Sequence, residues 1–345
     1  MRILATVAKA YAFRPEAVEP MYLWFTEPLR KLGHEVDHFD HVKLGRDTDF
    51  VACGEAFVDR VKTGGYDLVL YQTGGHDSMT YDAIVEARRY APVVAWNSDD
   101  DWQWDKYTKN LAPLFDYMVT TYRHVYEANR LRFPNLRLSQ WACLDSYAEY
   151  GLPKDLGFTF AGQIYTSRVA DCLHLKRNAG LKVFGLGAMR IRYPMLASRN
   201  VYGFVARRFP WLNRPLDFEQ VHDVWNRSRV SFAPMGASAD PNRLQVKGRV
   251  FEMGMSGTMM LTQRSPDIES FYEPGREFVA YDSIEDCADK AKFYLRNETE
   301  RARIAEAYYR RTRAEHLWEH RFQQLFREIG LGAPADRVVV TRKVA

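Results

Sequence analysis

Cysteine is scarce in this 345-residue chain: Cys53, Cys143, Cys172 and Cys287 lie far apart and form no C-x-x-C pair. That speaks against a disulfide framework and a cysteine zinc site, and leaves reduced, buried thiols as the expectation. No apolar run reaches the roughly 20 residues that a bilayer-crossing helix needs. Met1 leads straight into Arg2-Ile3-Leu4-Ala5-Thr6-Val7, which reads as a first strand rather than a signal peptide, so a cytoplasmic location is expected. Neither G-x-G-x-x-G after a first strand nor G-x-x-x-x-G-K-[ST] occurs, and dinucleotide and P-loop nucleotide binding lose their usual marks. Acid is missing from one long stretch: between Asp171 and Asp217 there is none, against nine Lys and Arg residues.

What is present has a globular balance, with 46% hydrophobic and 27% charged residues. A chain of 345 residues exceeds one ordinary core, so two domains and a cleft between them are expected. The net charge of +4 is unevenly placed: residues 1–150 carry 17 bases and 22 acids, leaving 31 and 22 for the rest. The basic second half is the one expected to meet an anion, with nucleic acid, phosphorylated substrate and anionic lipid all open on charge alone.

Short β-rich runs alternate with helical patterns in the first half, at Ile3 to Val7, Glu35 to Phe39, Leu68 to Tyr71, Val93 to Trp96, Tyr117 to Thr120 and Leu136 to Trp141. This is the rhythm of a parallel sheet. Helices are expected over Glu16 to Leu32, closed by Gly33, and over Met79 to Tyr90, with Asp77 and Ser78 as cap candidates. Gly151 and Pro153 break the pattern, so the junction is placed near 150, giving domains 1–150 and 151–330 and a tail, 331–345. Strands then resume at Phe158 to Gly162, Lys182 to Gly185, Val230 to Ala233, Thr258 to Thr262 and Glu277 to Tyr281, and the chain reads as helical from Ser283 to about Ile329. The fold class is therefore α/β, with two Rossmann-like parallel-sheet domains. Between two of these strands lies the basic, aromatic stretch Leu186 to Pro215, too long for an ordinary connection. Within it, Arg190 to Pro215 is expected to form a mobile flap that binds anionic lipid or a large acceptor, or else to complete the core with its aromatics.

Lys247-Gly-Arg249-Val-Phe-Glu252-Met-Gly-Met-Ser256-Gly257 reads as a short helix ended by glycine, before the buried run to Thr262. Its N-terminus, with Lys247 and Arg249, suits a diphosphate, and Glu252 suits a ribose diol; the alternative is an amphipathic helix with solvated basic ends.

K-x-R-x-F-E, then S-G-T-M-M-L-T, Asp267-Ile-Glu269-Ser-Phe271 and Pro274-Gly275 together resemble the C-terminal domain of CgeB-type spore-maturation glycosyltransferases, in the group-1 GT-B class. The likeness extends to Phe160-Ala-Gly162-Gln-Ile-Tyr-Thr-Ser-Arg168, to Val224-Trp-Asn226-Arg-Ser-Arg-Val230 and to His316-Leu-Trp318-Glu-His320-Arg321, covering most of residues 156–327. It implies the GT-B fold, a nucleotide diphosphate sugar donor held by the second domain, an acceptor bound mainly by the first, and no cofactor beyond that substrate. Glu252 then matches the glutamate at the ribose, Arg168 the base after the domain's first strand, and Lys247 and Arg249 face the diphosphate. Gly162, Ser256, Gly257 and Glu269 complete the donor-binding set. The position eight before Glu252 is Leu244, where relatives often carry a second glutamate, so the sugar and the stereochemical outcome stay open.

Asp99-Asp100-Asp101 follows a strand whose carboxyl end is expected to face the cleft. Asp99 and Asp100 are candidates for binding acceptor hydroxyls or acting as base, against the plainer reading of a helix cap, and metal binding is expected nowhere. Gly74-Gly75-His76-Asp77 follows another strand, and His76 is a candidate proton relay or simply a turn residue. His316 and His320, four apart, read as half-exposed histidines of one helix, since no third metal ligand is evident. The reading is a metal-independent glycosyltransferase with an unknown acceptor, lipid-linked or polysaccharide, with possible peripheral membrane contact and no nucleic acid. An inactive GT-B binding or scaffold protein and a nucleotide-sugar epimerase are the alternatives.

Overall fold

Buried apolar strands separated by helices can pair side by side only through crossovers, so parallel sheets follow from the sequence rhythm. The computed structural model describes residues 1–11, 14–73, 78–236 and 243–331, and it contains two such sheets. The first has six parallel strands in the order Glu35–Phe39, Arg2–Thr6, Leu68–Thr73, Val93–Asn97, Tyr117–Thr120 and Leu136–Leu138. The second has five, in the order Lys182–Phe184, Leu156–Ala161, Ser228–Ala233, Met259–Gln263 and Val279–Tyr281. Each is a Rossmann-like sheet whose strand order reverses beside its first strand, which creates a crevice at the carboxyl strand ends.

Local chemistry sets the helix ends. Asp49 accepts from the amides of Val51 and Ala52 at 2.9 and 2.8 Å to open the helix Phe50–Gly64, and Gly65, at φ 62°, closes it. Asp217 and Gln220 form a reciprocal capping box at the head of Phe218–Arg227. The C-terminal region is helical, through Ile284–Arg296, Glu298–Glu315 and Trp318–Glu328.

Two expected helices are shorter. Instead of starting at Glu16, the first runs over Pro20–Lys31, because Pro20 fixes a helix start and disfavours helical backbone at Glu19. Arg14–Val18 instead pairs antiparallel with Ala10–Tyr11. The helix expected over Met79 to Tyr90 spans Tyr81–Ala87, with Thr80 at its N-cap. Ser78 meets His41 at 2.5 Å, and Asp77 lies outside the described residues. The stretch Leu186 to Pro215 folds into short helices over Met189–Arg192 and Arg199–Arg208 with single 3-10 turns around them. Its inner side is packed rather than loose: Ile191 is fully buried, the Arg190 guanidinium lies 4.9 Å from the Tyr202 ring, and Asn213 Oδ1 accepts from the Gly187 amide at 2.9 Å.

The chain divides into two compact units at other points than 150/151. One unit takes Met1–Val7, Thr26–Gln140 and the chain from Glu319 on; the other takes Ala8–Phe25 and Trp141–Trp318. Aromatic packing is the cause. Trp24 stacks on Trp318 at 5.4 Å and meets the edges of Trp141 and Phe218 at 5.4 and 6.1 Å, which holds the hairpin segment in the second unit. Phe322 lies 6.0 Å from Trp96, and Glu319 pairs with Lys31 at 2.7 Å, which returns the last helix to the first unit. Gly151 and Pro153 mark a turn within the second unit. All four cysteines are buried, and no disulfide joins them.

Candidate functional site

In the second unit the strand order reverses at Leu156–Ala161, so the crevice expected of such a sheet opens beside that strand's carboxyl end, toward Ser228–Ala233. Gly162 follows directly at φ 140°, a backbone that side chains rarely adopt. Gly185, which follows Lys182–Phe184 at φ 108°, comes so close that a Cβ on it would stand 2.5 Å from the Gly162 carbonyl oxygen. Past Gly162 the chain turns through Thr166–Arg168 into the helix Val169–Ala179. The buried Arg168 bridges the reversal, donating from Nη1 to the Gln163 carbonyl at 3.1 Å and from Nη2 to the Gly236 carbonyl at 3.0 Å. Lys247 Nζ donates to the same Gly236 oxygen at 2.9 Å.

Lys247 is also the N-cap residue of the helix Gly248–Met255, and its own side chain does not cap that end. Arg249, in the first turn, extends to Gly162: its guanidinium nitrogens lie 3.5 Å from where a Gly162 Cβ would be, and the group sits 5.3 Å from the Phe160 ring. Any side chain at 162 would crowd it. Arg249 Nη1 is buried and has no hydrogen-bond partner among the described residues. Burial, with Arg168 adding repulsion, lowers its pKa to about 10, so it remains cationic at neutral pH. Glu252, 7% exposed, folds back along the helix so that Oε2 lies 3.8 Å from the Cβ position of Gly248. Burial raises its pKa to about 8 against the opposing pull of Arg249. The result is a cationic cluster with one carboxyl group beside a helix N-terminus, a set of groups suited to a diphosphate joined to a diol.

The structure thus brings Gly162, Arg168, Lys247, Arg249 and Glu252 together. It places Ser256 and Gly257 at the opposite end of the same short helix, where the Ser256 hydroxyl donates to the Glu252 carbonyl at 3.3 Å and Gly257 faces the Tyr150 ring. Glu269 closes the short helix Pro266–Glu269 and accepts from Arg264 at 2.6 Å. Residues that sequence reasoning passed over include Gly185, Gly236 and the hairpin. Burial suppresses the acidity of the Tyr11 phenol, with Glu19, Glu252 and Asp217 adding to the effect, so the hairpin lies within electrostatic reach of Glu252. Burial also raises Glu19 to about 7, although it accepts from the Met21 amide at 2.6 Å. No motif marks the hairpin, because the groups that act on Tyr11 from outside it, Asp217 and Glu252, come from far along the chain. The G-x-G of Gly185 and Gly187 was the one usable signal.

In the first unit, Asp99 is exposed just past the carboxyl end of Val93–Asn97. Asp100 is 1% exposed and accepts from Asn97 Nδ2, and burial raises its pKa to about 6. Asp101 lies 3.6 Å from His124. His76, with Gly74, Gly75 and Asp77, lies outside the described residues. Contrary to the expectation from their spacing, His316 and His320 do not share a helix, because the helix Glu298–Glu315 ends at His316 and the next begins at Trp318. The His316 ring is buried against Phe251 and Tyr272, at 5.2 and 4.9 Å. Among the described residues no group of three or more His, Cys, Asp or Glu is placed to hold a metal, and no helix is long and apolar enough to cross a membrane.

Residues 174–327 match the family described as glycosyl transferase-like. No curated protein matches the chain significantly. Among solved structures the chain is similar to HepE of Anabaena in complex with UDP, at 10% identity and TM-score 0.57 over 96% of this chain and 100% of that one. It is similar to sucrose-phosphate synthase of Thermosynechococcus elongatus, at 12% identity and TM-score 0.59 over 96% and 99% of the two chains. A glycosyltransferase of Rickettsia africae gives 10% identity and TM-score 0.60 over the same shares. The chain therefore has the GT-B fold, and its residues 174–327 carry a glycosyl transferase-like sequence.

Proposed function

We propose that the protein is a glycosyltransferase that takes its sugar from a nucleoside diphosphate sugar bound in the second unit, without need of a divalent cation. The observation that carries this reading is the buried, unpartnered Arg249 Nη1 beside Gly162 at the strand-order reversal. A guanidinium is held there at the cost of desolvation, which an incoming diphosphate offsets. Arg168, Lys247, Arg249 and the N-terminus of the helix Gly248–Met255 would stabilise the charge that accumulates on the diphosphate as the glycosidic bond breaks. Glu252, as carboxylate, would accept from the ribose hydroxyls. UDP, which HepE holds in its crystal, is the first nucleotide to try.

On the acceptor side Asp99 is the proposed catalytic carboxylate, because Asp100 is enclosed by Asn97 and its neighbours. The acceptor is unassigned, with lipid-linked and polysaccharide hydroxyls both compatible with a carboxylate base. Ser256, Gly257 and Glu269 would support the donor site through the helix and the loop that carry them.

Titration calorimetry of UDP, GDP and inorganic pyrophosphate tests the reading. Binding of a nucleoside diphosphate in preference to pyrophosphate, lost in Arg249→Met, supports it. Failure of every nucleoside diphosphate to bind would overturn it. Incubating UDP-sugars with and without acceptor then distinguishes transfer from epimerisation, which needs the donor alone.

A further inference from the structure

We propose that the outer face of the insertion between Leu186 and Pro215 docks on an anionic lipid surface. The inner face of this segment has already met its packing requirements, with Met189, Ile191 and Leu196 buried. Yet Tyr193, Met195, Phe204 and Trp211 are 50%, 79%, 64% and 57% exposed, and Val201 is exposed with them. Large apolar side chains scattered singly over a surface need no explanation, but five exposed ones concentrated in a single insertion call for a partner. On the helix Arg199–Arg208, Val201, Phe204 and Arg208 fall at i, i+3 and i+7 and so share the exposed face, while Tyr202 turns inward to Arg190 and Asn213.

Charge identifies the partner. Arg192, Arg207, Arg208 and Arg214 are all exposed, and none forms an ion pair with a described residue. No acid occurs in sequence between Asp171 and Asp217 to neutralise them. Exposed apolar and aromatic side chains interspersed along the insertion with guanidiniums that have no carboxylate partner match an interface of acyl chains beneath anionic headgroups. A second copy of this chain fits poorly, since a two-fold contact would set the same four guanidiniums against one another. Single-stranded nucleic acid would use flat rings as stacking platforms, whereas Met195 and Val201 offer none.

The test uses the full chain and sedimenting vesicles of phosphatidylcholine, with and without phosphatidylglycerol. The wild type should sediment only with phosphatidylglycerol vesicles, and high salt should release it. Arg207→Glu with Arg208→Glu, and separately Phe204→Ser with Trp211→Ser, should each weaken vesicle binding on the order of tenfold or more. All four positions are exposed, so thermal melting should match the wild type. Absence of vesicle binding at low salt would overturn the proposal. So would binding that the Phe204 and Trp211 changes leave intact, or single-stranded RNA that binds more tightly than the vesicles and displaces them.

Discussion

Arg168 Nη2 and Lys247 Nζ donate to one carbonyl oxygen, that of Gly236, at 3.0 and 2.9 Å. Two like charges are thereby fixed side by side at a strand end, and their mutual repulsion is relieved by any anion that lies across both. Lys247→Met should weaken UDP and pyrophosphate by similar factors, since the lost charge-assisted hydrogen bond, about 1.5–3 kcal/mol, goes to phosphate in both. Calorimetry of the two ligands side by side checks this.

Glu252 should make nucleotide binding pH-dependent. Its pKa of about 8 means that the unliganded protein holds a proton there at neutral pH, whereas a carboxylate accepting ribose hydroxyls has released it. Affinity for UDP should therefore rise with pH up to about 8 and level off above, changing at most tenfold per unit, while pyrophosphate shows no such dependence. Glu252→Gln should flatten the UDP profile. For folding, the raised pKa means stability is lost as pH rises from about 4.5 to about 8, a loss the Gln variant escapes. Thermal melting across that range reads it.

Arg249→Met should leave the unliganded protein as stable as the wild type or more so, because a buried cation with an unpartnered nitrogen is replaced by an apolar chain of similar length. The same change should lower UDP affinity by at least about tenfold, the equivalent of one charge-assisted hydrogen bond. Denaturant melts together with calorimetry separate the two effects.

Gly185→Ala should destabilise the second unit by about 1–3 kcal/mol, since the φ of 108° is strained for alanine and the new Cβ meets the Gly162 oxygen. Urea unfolding monitored by fluorescence gives the value, and UDP affinity should fall with it because Gly162 borders Arg249.

Turnover of a donor should survive chelation, because the proposed charge stabilisation comes from Arg168, Lys247, Arg249 and a helix N-terminus. Rates measured with EDTA and with added manganese decide it. Loss with EDTA and rescue by manganese would reassign Asp99 and Asp101 as metal ligands.

Both sheets and most of the crevice residues were legible because they are local signals: alternating buried runs mark strands, and K-G-R-V-F-E places two cations and a carboxyl on one short helix. The unit boundary was not, because it depends on Trp24, Trp141 and Trp318 meeting across nearly three hundred residues of sequence. The three aspartates could not be told apart in sequence, where burial is invisible, yet Asp99 is exposed and Asp100 is enclosed. His316 read as a half-exposed helix residue because nothing in H-x-x-x-H reveals that the helix stops there. Gly236 carries no side chain, so its carbonyl could not be identified as the acceptor shared by Arg168 and Lys247.

The interleaved units impose an order on synthesis. Residues 8–25 leave the ribosome long before Trp141 and Trp318, their aromatic partners, exist. The first sheet is complete by Leu138, but the helix Trp318–Glu328, which puts Phe322 against Trp96, is made much later. Neither unit can therefore finish folding until the chain around Trp318 and Phe322 has emerged, and both should close at nearly the same moment.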